Sequence, residues 1–173
     1  MPEGDLEEVC DRAAEMGYVM SAGPEPEFFL FNRGPNGEPT VESHDKGGYF
    51  DLAPVDLGEE ARREIVNVLE ASGFAVEAAH HEVAPAQHEI DFRHRPAVET
   101  ADHIATFRYI VRKVASDFGL HATFMPKPVF GINGSGMHVH QSLFKGSENV
   151  FFDSDAPDGL SEVMLGYVAG LLK

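Results

Sequence analysis

Cysteine occurs once, at Cys10, so no disulfide can close within the chain and no thiolate metal cluster can form. That usage suits a reducing compartment, and cytoplasm is the expected location. Tryptophan is absent and lysine is scarce, at Lys46, Lys113, Lys127, Lys145 and Lys173. Basic residues number 13 against 29 acidic ones, for a formal charge of -16. A field of that sign repels phosphate backbones and anionic lipid at long range, which argues against nucleic acid as a partner. The same surplus fits a protein from a salt-rich cytoplasm and is silent on mechanism. No apolar run approaches the roughly 20 residues that span a bilayer. The N-terminus, Met1-Pro2-Glu3-Gly4-Asp5, is acidic where a secretory signal is basic. The expectation is a chain without membrane segment or targeting signal.

What is present suffices for a folded domain: 43% hydrophobic residues over 173 positions can bury one sizeable core, and one domain is the default. Leu6, Val9, Cys10, Ala13 and Ala14 recur at helical spacing behind Asp5, with Gly17 as a stop. Tyr18 to Ser21 and Glu27 to Phe31 read as extended, and the turn formers from Asn32 to Pro39 fold the second of these back toward Thr40 to Ser43. Lys46 to Asp51 is a glycine-containing loop or strand. Helices are predicted over Glu59 to Ala71 and Thr100 to Phe118, with strands Ala75 to His81, Gln87 to Phe92, His121 to Met125 and Gly136 to Phe144. Gly146 turns into Val150 to Phe152, and Ser161 to Leu172 forms a last helix. Hairpins alternating with helices predict an α+β fold, an antiparallel sheet with helices packed on one side.

Three segments concentrate chemistry. In Gly23-Pro24-Glu25-Pro26-Glu27 an extended backbone points both carboxylates out of one face, and like charges about 5 Å apart repel by about 3 kcal/mol at an effective dielectric of 20. A cation is the natural partner. The second segment runs from His80-His81-Glu82 to His88-Glu89-Ile90-Asp91. Glu82 and Glu89 are an odd number of residues apart and leave opposite faces of one straight strand, but a turn at Pro85 brings them to the same side; an exposed loop is the plainer alternative. In the third, Asn133-Gly134-Ser135-Gly136-Met137-His138-Val139-His140, two imidazoles at strand spacing follow a glycine-rich approach that lacks the Gly-Lys-Ser/Thr ending of a Walker loop. Four carboxylates and one or two imidazoles form an oxygen-rich set suited to Mg²⁺ or Mn²⁺ rather than Zn²⁺, with more ligands than one ion takes, and point to phosphoryl transfer from a nucleotide. His80-His81-Glu82 lacks the His-Glu-x-x-His spacing of a zinc hydrolase.

These motifs, with Lys46-Gly47-Gly48-Tyr49-Phe50-Asp51-Leu52-Ala53-Pro54 and Ala122-Thr123-Phe124-Met125-Pro126-Lys127-Pro128 in the same order, resemble the catalytic domain of type I glutamine synthetase. The resemblance implies that residues 1-173 are the N-terminal portion of that catalytic domain, without the preceding β-grasp domain or the C-terminal part. It implies an ATP-dependent ligation of ammonia to glutamate through γ-glutamyl phosphate. It implies metal ligation by Glu27, Glu82 and Glu89 at one Mg²⁺ or Mn²⁺ and by Glu25 and His138 at another. ATP contacts follow at Glu77, His140 and Ser142, and glutamate contacts at Asn133 and Gly134. No catalytic residue is assignable within the chain, because the arginines that neutralise phosphate and substrate carboxylate fall in the missing part. The isolated chain is therefore expected to be inactive, while the full-length protein forms a homo-oligomeric ring, a dodecamer by resemblance. A γ-glutamyl ligase using another amine, or a noncatalytic metal-binding or assembly module, is the alternative. One departure stands out: Ala86 occupies a position where the family pattern usually has glycine, which strains the turn if φ there is positive.

Overall fold

The computed structural model describes residues 5–173; Met1 to Gly4, on which part of the targeting expectation rests, lie outside the described residues. The elements run α1 (Leu6–Glu15), β1 (Val19–Arg33), β2 (Pro39–Ser43), α2 (Glu59–Ala71), β3 (Val76–His81), β4 (Gln87–Phe92), β5 (Arg95–Pro96), α3 (Ala97–Asp117), β6 (Leu120–Thr123), β7 (Met137–Lys145), β8 (Glu148–Asn149) and α4 (Glu162–Leu171). The fold is α+β, and every registered strand pair is antiparallel. No helix among the described residues is long and apolar enough to cross a membrane. The described residues divide into two compact units rather than one, with 23–93 and 101–139 in the larger and 5–22, 94–100 and 140–173 in the smaller.

In the larger unit, β1 pairs with β4 (Glu27↔Glu89, Phe28↔His88, Phe29↔Gln87), with β6 and with β2, and β4 pairs with β3. Alternation along β1 and β4 sorts side chains onto two faces. Phe28, Leu30, Ile90 and Phe92 meet Ala61, Ile65 and Leu69 of α2 and Phe107, Ile110, Val111 and Val114 of α3. Burying each such large side chain is worth about 1.5–3 kcal/mol, so this face holds the unit together. On the opposite face Phe29 and Phe31 pack on Ala84, Ala86, Val129 and Ile132, and beyond them the same face carries Glu25, Glu27, Gln87, Glu89 and Asp91. Helices therefore cover one side and leave the other to chemistry.

The smaller unit holds α1, capped by the Asp5 carboxylate accepting from Glu8 N at 2.9 Å and ended at Gly17 with φ +84°. It also holds the start of β1 paired with β5, the end of β7 paired with β8, and α4, capped by Ser161.

Two expectations shift, and a third, left open, is settled. The two extended pieces before residue 32 are one strand, β1, because Gly23 and Pro24 continue it rather than break it. Lys46 to Asp51, undecided between loop and strand, is loop. The strand expected at Val150 to Phe152 lies earlier, at β8, leaving Phe152 in an isolated bridge to Leu160.

Candidate metal centre

The strand register builds the centre. Glu27 and Glu89 are directly opposed on β1 and β4, an arrangement that costs stability when both are charged. Glu82 joins them because β3 and β4 form a hairpin: Glu82 N donates to Gln87 O at 2.7 Å and Gln87 N to Ala84 O at 3.0 Å, closing the turn through Pro85. Ligand atoms of His80, Glu82 and Glu89 lie within 4.8 Å of one another, all shielded from solvent. His80 Nε2 is 3.1 Å from Glu89 Oε1, and its Nδ1 is 3.9 Å from Glu82 Oε1. Phe50, itself at φ +59°, stacks on the His80 ring with centroids 4.3 Å apart.

Glu25 lies on the same strand face, with His138 Nδ1 3.4 Å from its Oε2. The His138 side chain is 82% exposed and that of Glu25 28%. Gly136 sits between the two groups of ligands: its carbonyl accepts from Glu27 N at 3.2 Å, and a Cβ there would lie 3.1 Å from Glu27 Oε1. A side chain at 136 would crowd that carboxylate by a few tenths of an ångström.

The electrostatics follow from burial and like charge. Burial pushes the Glu27 carboxyl up, assisted by the charge of Glu82 and opposed by the Gly136 contact. Burial, then the charges of Asp91, Glu82, Glu27 and Glu25, push Glu89 up to about 8. Asp91 rises to about 6, from burial and the charge of Glu25. Its Oδ1 is buried with no hydrogen-bond partner in the structure.

A second buried network supports the hairpin from the helix side. Asp45 accepts from Ala86 N at 2.9 Å and lies 3.3 Å from His81 Nε2, while His81 Nδ1 is 2.7 Å from Glu82 O. Burial raises the Asp45 carboxyl, but bonds to His44 and His81 outweigh it and the net shift is downward. Arg62 binds Asp56 at 2.7 Å and His88 Nδ1 at 2.9 Å. Burial holds His88 neutral, with its pKa well below the ordinary value. Ala86 adopts φ +64°, the left-handed conformation that glycine takes freely.

Of the residues singled out from sequence, Glu25, Glu27, Glu82, Glu89 and His138 all belong to the larger unit and gather on one sheet face as described. Gly134 adjoins them, its carbonyl accepting from Gln87 Nε2 at 2.9 Å, whereas Asn133 is exposed. Glu77 is exposed on β3 and faces Arg93 at 3.4 Å. His140 and Ser142 lie on the part of β7 assigned to the smaller unit. His80, Gln87 and Asp91 went unassigned; Asp91 follows Glu89 at strand spacing, a legible signal, but nothing local reveals the Gln87 contacts.

The glutamine synthetase catalytic-domain model matches residues 1–173. The chain is 58% identical to the glutamine synthetase of Thermus thermophilus and 55% identical to that of Staphylococcus aureus, over 99% of its own length in each case. It spans 40% and 39% of those relatives. Its fold superposes on a solved glutamine synthetase from Plasmodium falciparum with a TM-score of 0.84 at 27% identity, and on a GmaS/ADP complex with 0.85 at 32%, covering 96% of this chain and 38% and 39% of those chains. With the motifs in order and the whole sequence matched, the chain belongs to the glutamine synthetase catalytic-domain family.

Proposed function

We propose that this chain is the metal- and nucleotide-binding portion of a longer, ring-forming enzyme that uses ATP to join ammonia to glutamate through γ-glutamyl phosphate. In this reading it is the N-terminal part of the catalytic domain. Glu27, Glu82 and Glu89 hold one divalent cation beside the glutamate, and Glu25 with His138 holds another beside the ATP phosphates. Glu77, His140 and Ser142 serve the nucleotide, and Asn133 and Gly134 the glutamate. The observation that carries the reading is Glu27 opposed to Glu89 with Glu82 folded onto them, a half-buried and two buried carboxyl groups too close for all three to ionise together without a cation.

The donor set fits such an ion. It is rich in carboxylate oxygen, as Mg²⁺ and Mn²⁺ require, and the unpartnered Asp91 Oδ1 marks an unmet demand for positive charge in the same cluster. When bound, the cations reduce the charge on the γ-phosphate so that the glutamate carboxylate can attack it. The chain's own share is to fix carboxylate positions on a rigid sheet, keep water from Glu82 and Glu89, and set the 133–136 segment against Glu27. Cationic groups for the phosphates and the substrate carboxylate come from elsewhere in the longer protein, so the isolated chain forms no glutamine.

The test is a Mn²⁺ titration of the chain by thermal melting. Mn²⁺ raises the melting temperature of the wild type and leaves that of Glu27→Ala unchanged. No shift in either protein overturns the ligand assignment and favours an assembly module that keeps the fold without the metal.

A further inference from the structure

Gln87 opens β4 with no exposed surface and spends its whole amide on three separate segments. Nε2 donates to Glu27 Oε2 at 2.6 Å and to Gly134 O at 2.9 Å, while Oε1 accepts from Ala84 N at 3.1 Å. Both donor hydrogens are used, with no exposed surface through which water could take their place. Gly134 in turn packs closely on the 126 carbonyl: a Cβ on it would lie 2.2 Å from Pro126 O, and Ser135 N donates to that same carbonyl at 2.9 Å.

We propose that Gln87 is a positioning residue that couples cation binding at Glu27 to the conformation of the 133–136 segment, so that metal occupancy organises the glutamate side of the centre. This rests on the metal reading above. The chemistry of the linker supports it. A lysine or arginine here would neutralise Glu27 and compete with the cation, whereas a neutral amide aims one carboxylate oxygen and leaves the charge available. The two hydrogens of Nε2 share one rigid plane. A carboxylate drawn toward a cation therefore turns the amide and moves the hydrogen bond that holds the Gly134 carbonyl, and by reciprocity an ordered segment favours the cation.

The experiment measures Mn²⁺ binding to the chain by electron paramagnetic resonance, and amide hydrogen exchange across 133–136 with and without saturating Mn²⁺. In the wild type Mn²⁺ slows exchange at Ser135 by about fivefold or more, the lower end of ordinary coupling. Gln87→Met, which keeps the volume and deletes the hydrogen bonds, weakens Mn²⁺ binding by about tenfold. In that variant exchange at Ser135 is the same with and without saturating Mn²⁺. A purely structural role would loosen the segment equally in both states, and retention of the Mn²⁺-dependent slowing in Gln87→Met overturns the coupling. The wild type alone also decides: Mn²⁺ bound with no effect on 133–136 refutes the coupling and spares the metal assignment, whereas no Mn²⁺ bound refutes both.

Discussion

Ala86 shows how a single residue reconciles opposing demands. Its left-handed backbone costs an L-residue about 1–2 kcal/mol, yet the methyl is fully buried against Phe29 and Phe31, and its N–H is the donor that ties the turn to Asp45. Replacing it with glycine relieves the strain but loses about 0.8 kcal/mol of methyl burial and adds about 0.5–1 kcal/mol of unfolded-state entropy. Ala86→Gly is therefore expected to change unfolding free energy in urea by less than about 1 kcal/mol. Ala86→Val, which adds a branched side chain to a left-handed residue in a packed site, is expected to cost more than about 2 kcal/mol. The alternation that puts Glu25 and Glu27 on one face was legible at this scale, because strand geometry needs only local sequence. The Gln87 amide was not: its partners at 27 and 134 are distant in sequence, and a glutamine carries no charge to advertise them.

Among the elements, α2 is fastened to the sheet by more than its apolar stripe. Arg62, in its first turn, reaches Asp56 and the neutral His88 of β4, all three buried. Arg62→Met leaves the Asp56 carboxylate buried and unpaired, and denaturant unfolding is expected to show a loss of about 3–5 kcal/mol. Arg62→Met combined with Asp56→Leu removes the stranded charge and is expected to recover much of that loss. Helix α2 itself was readable to its end residues from a stripe of Ala61, Ile65, Val68 and Leu69, of which Ala61, Ile65 and Leu69 are buried and Val68 partly so. Its anchoring was not, since Arg62 and Asp56 look like ordinary surface charges until β4 packs beside them. Helix α3 begins at Ala97, ahead of the expected Thr100. The Thr100 hydroxyl, inside the first turns, donates to Ala22 O at 3.0 Å and binds the helix to β1.

For the molecule as a whole, the carboxylate cluster sets how stability responds to acid. The Glu89 carboxyl has an ordinary pKa of 4.5 when unfolded, and burial with neighbouring negative charge pushes it up to about 8 when folded, so between those values the folded state holds the extra proton. Unfolding free energy then falls as pH rises through that window, the reverse of the usual carboxylate, and the contribution is greatest below it. In chelator-treated protein the melting temperature is expected to be lower at pH 8 than at pH 5, and saturating Mn²⁺ to reduce the difference; a melting temperature that climbs with pH in the metal-free protein would contradict this. The fold class was readable from the alternation of hairpins and helices, whereas the division into two units was not, because it depends on which distant segments pack together.

The alternation of β1 has a final consequence. Phe28 and Leu30 look toward the helices while Glu25 and Glu27 look away, so an inserted or deleted residue within this strand would exchange the two populations downstream, pressing acid into oil and aromatic rings into solvent. Such a lineage can explore new chemistry here by changing letters, but almost never by changing their number.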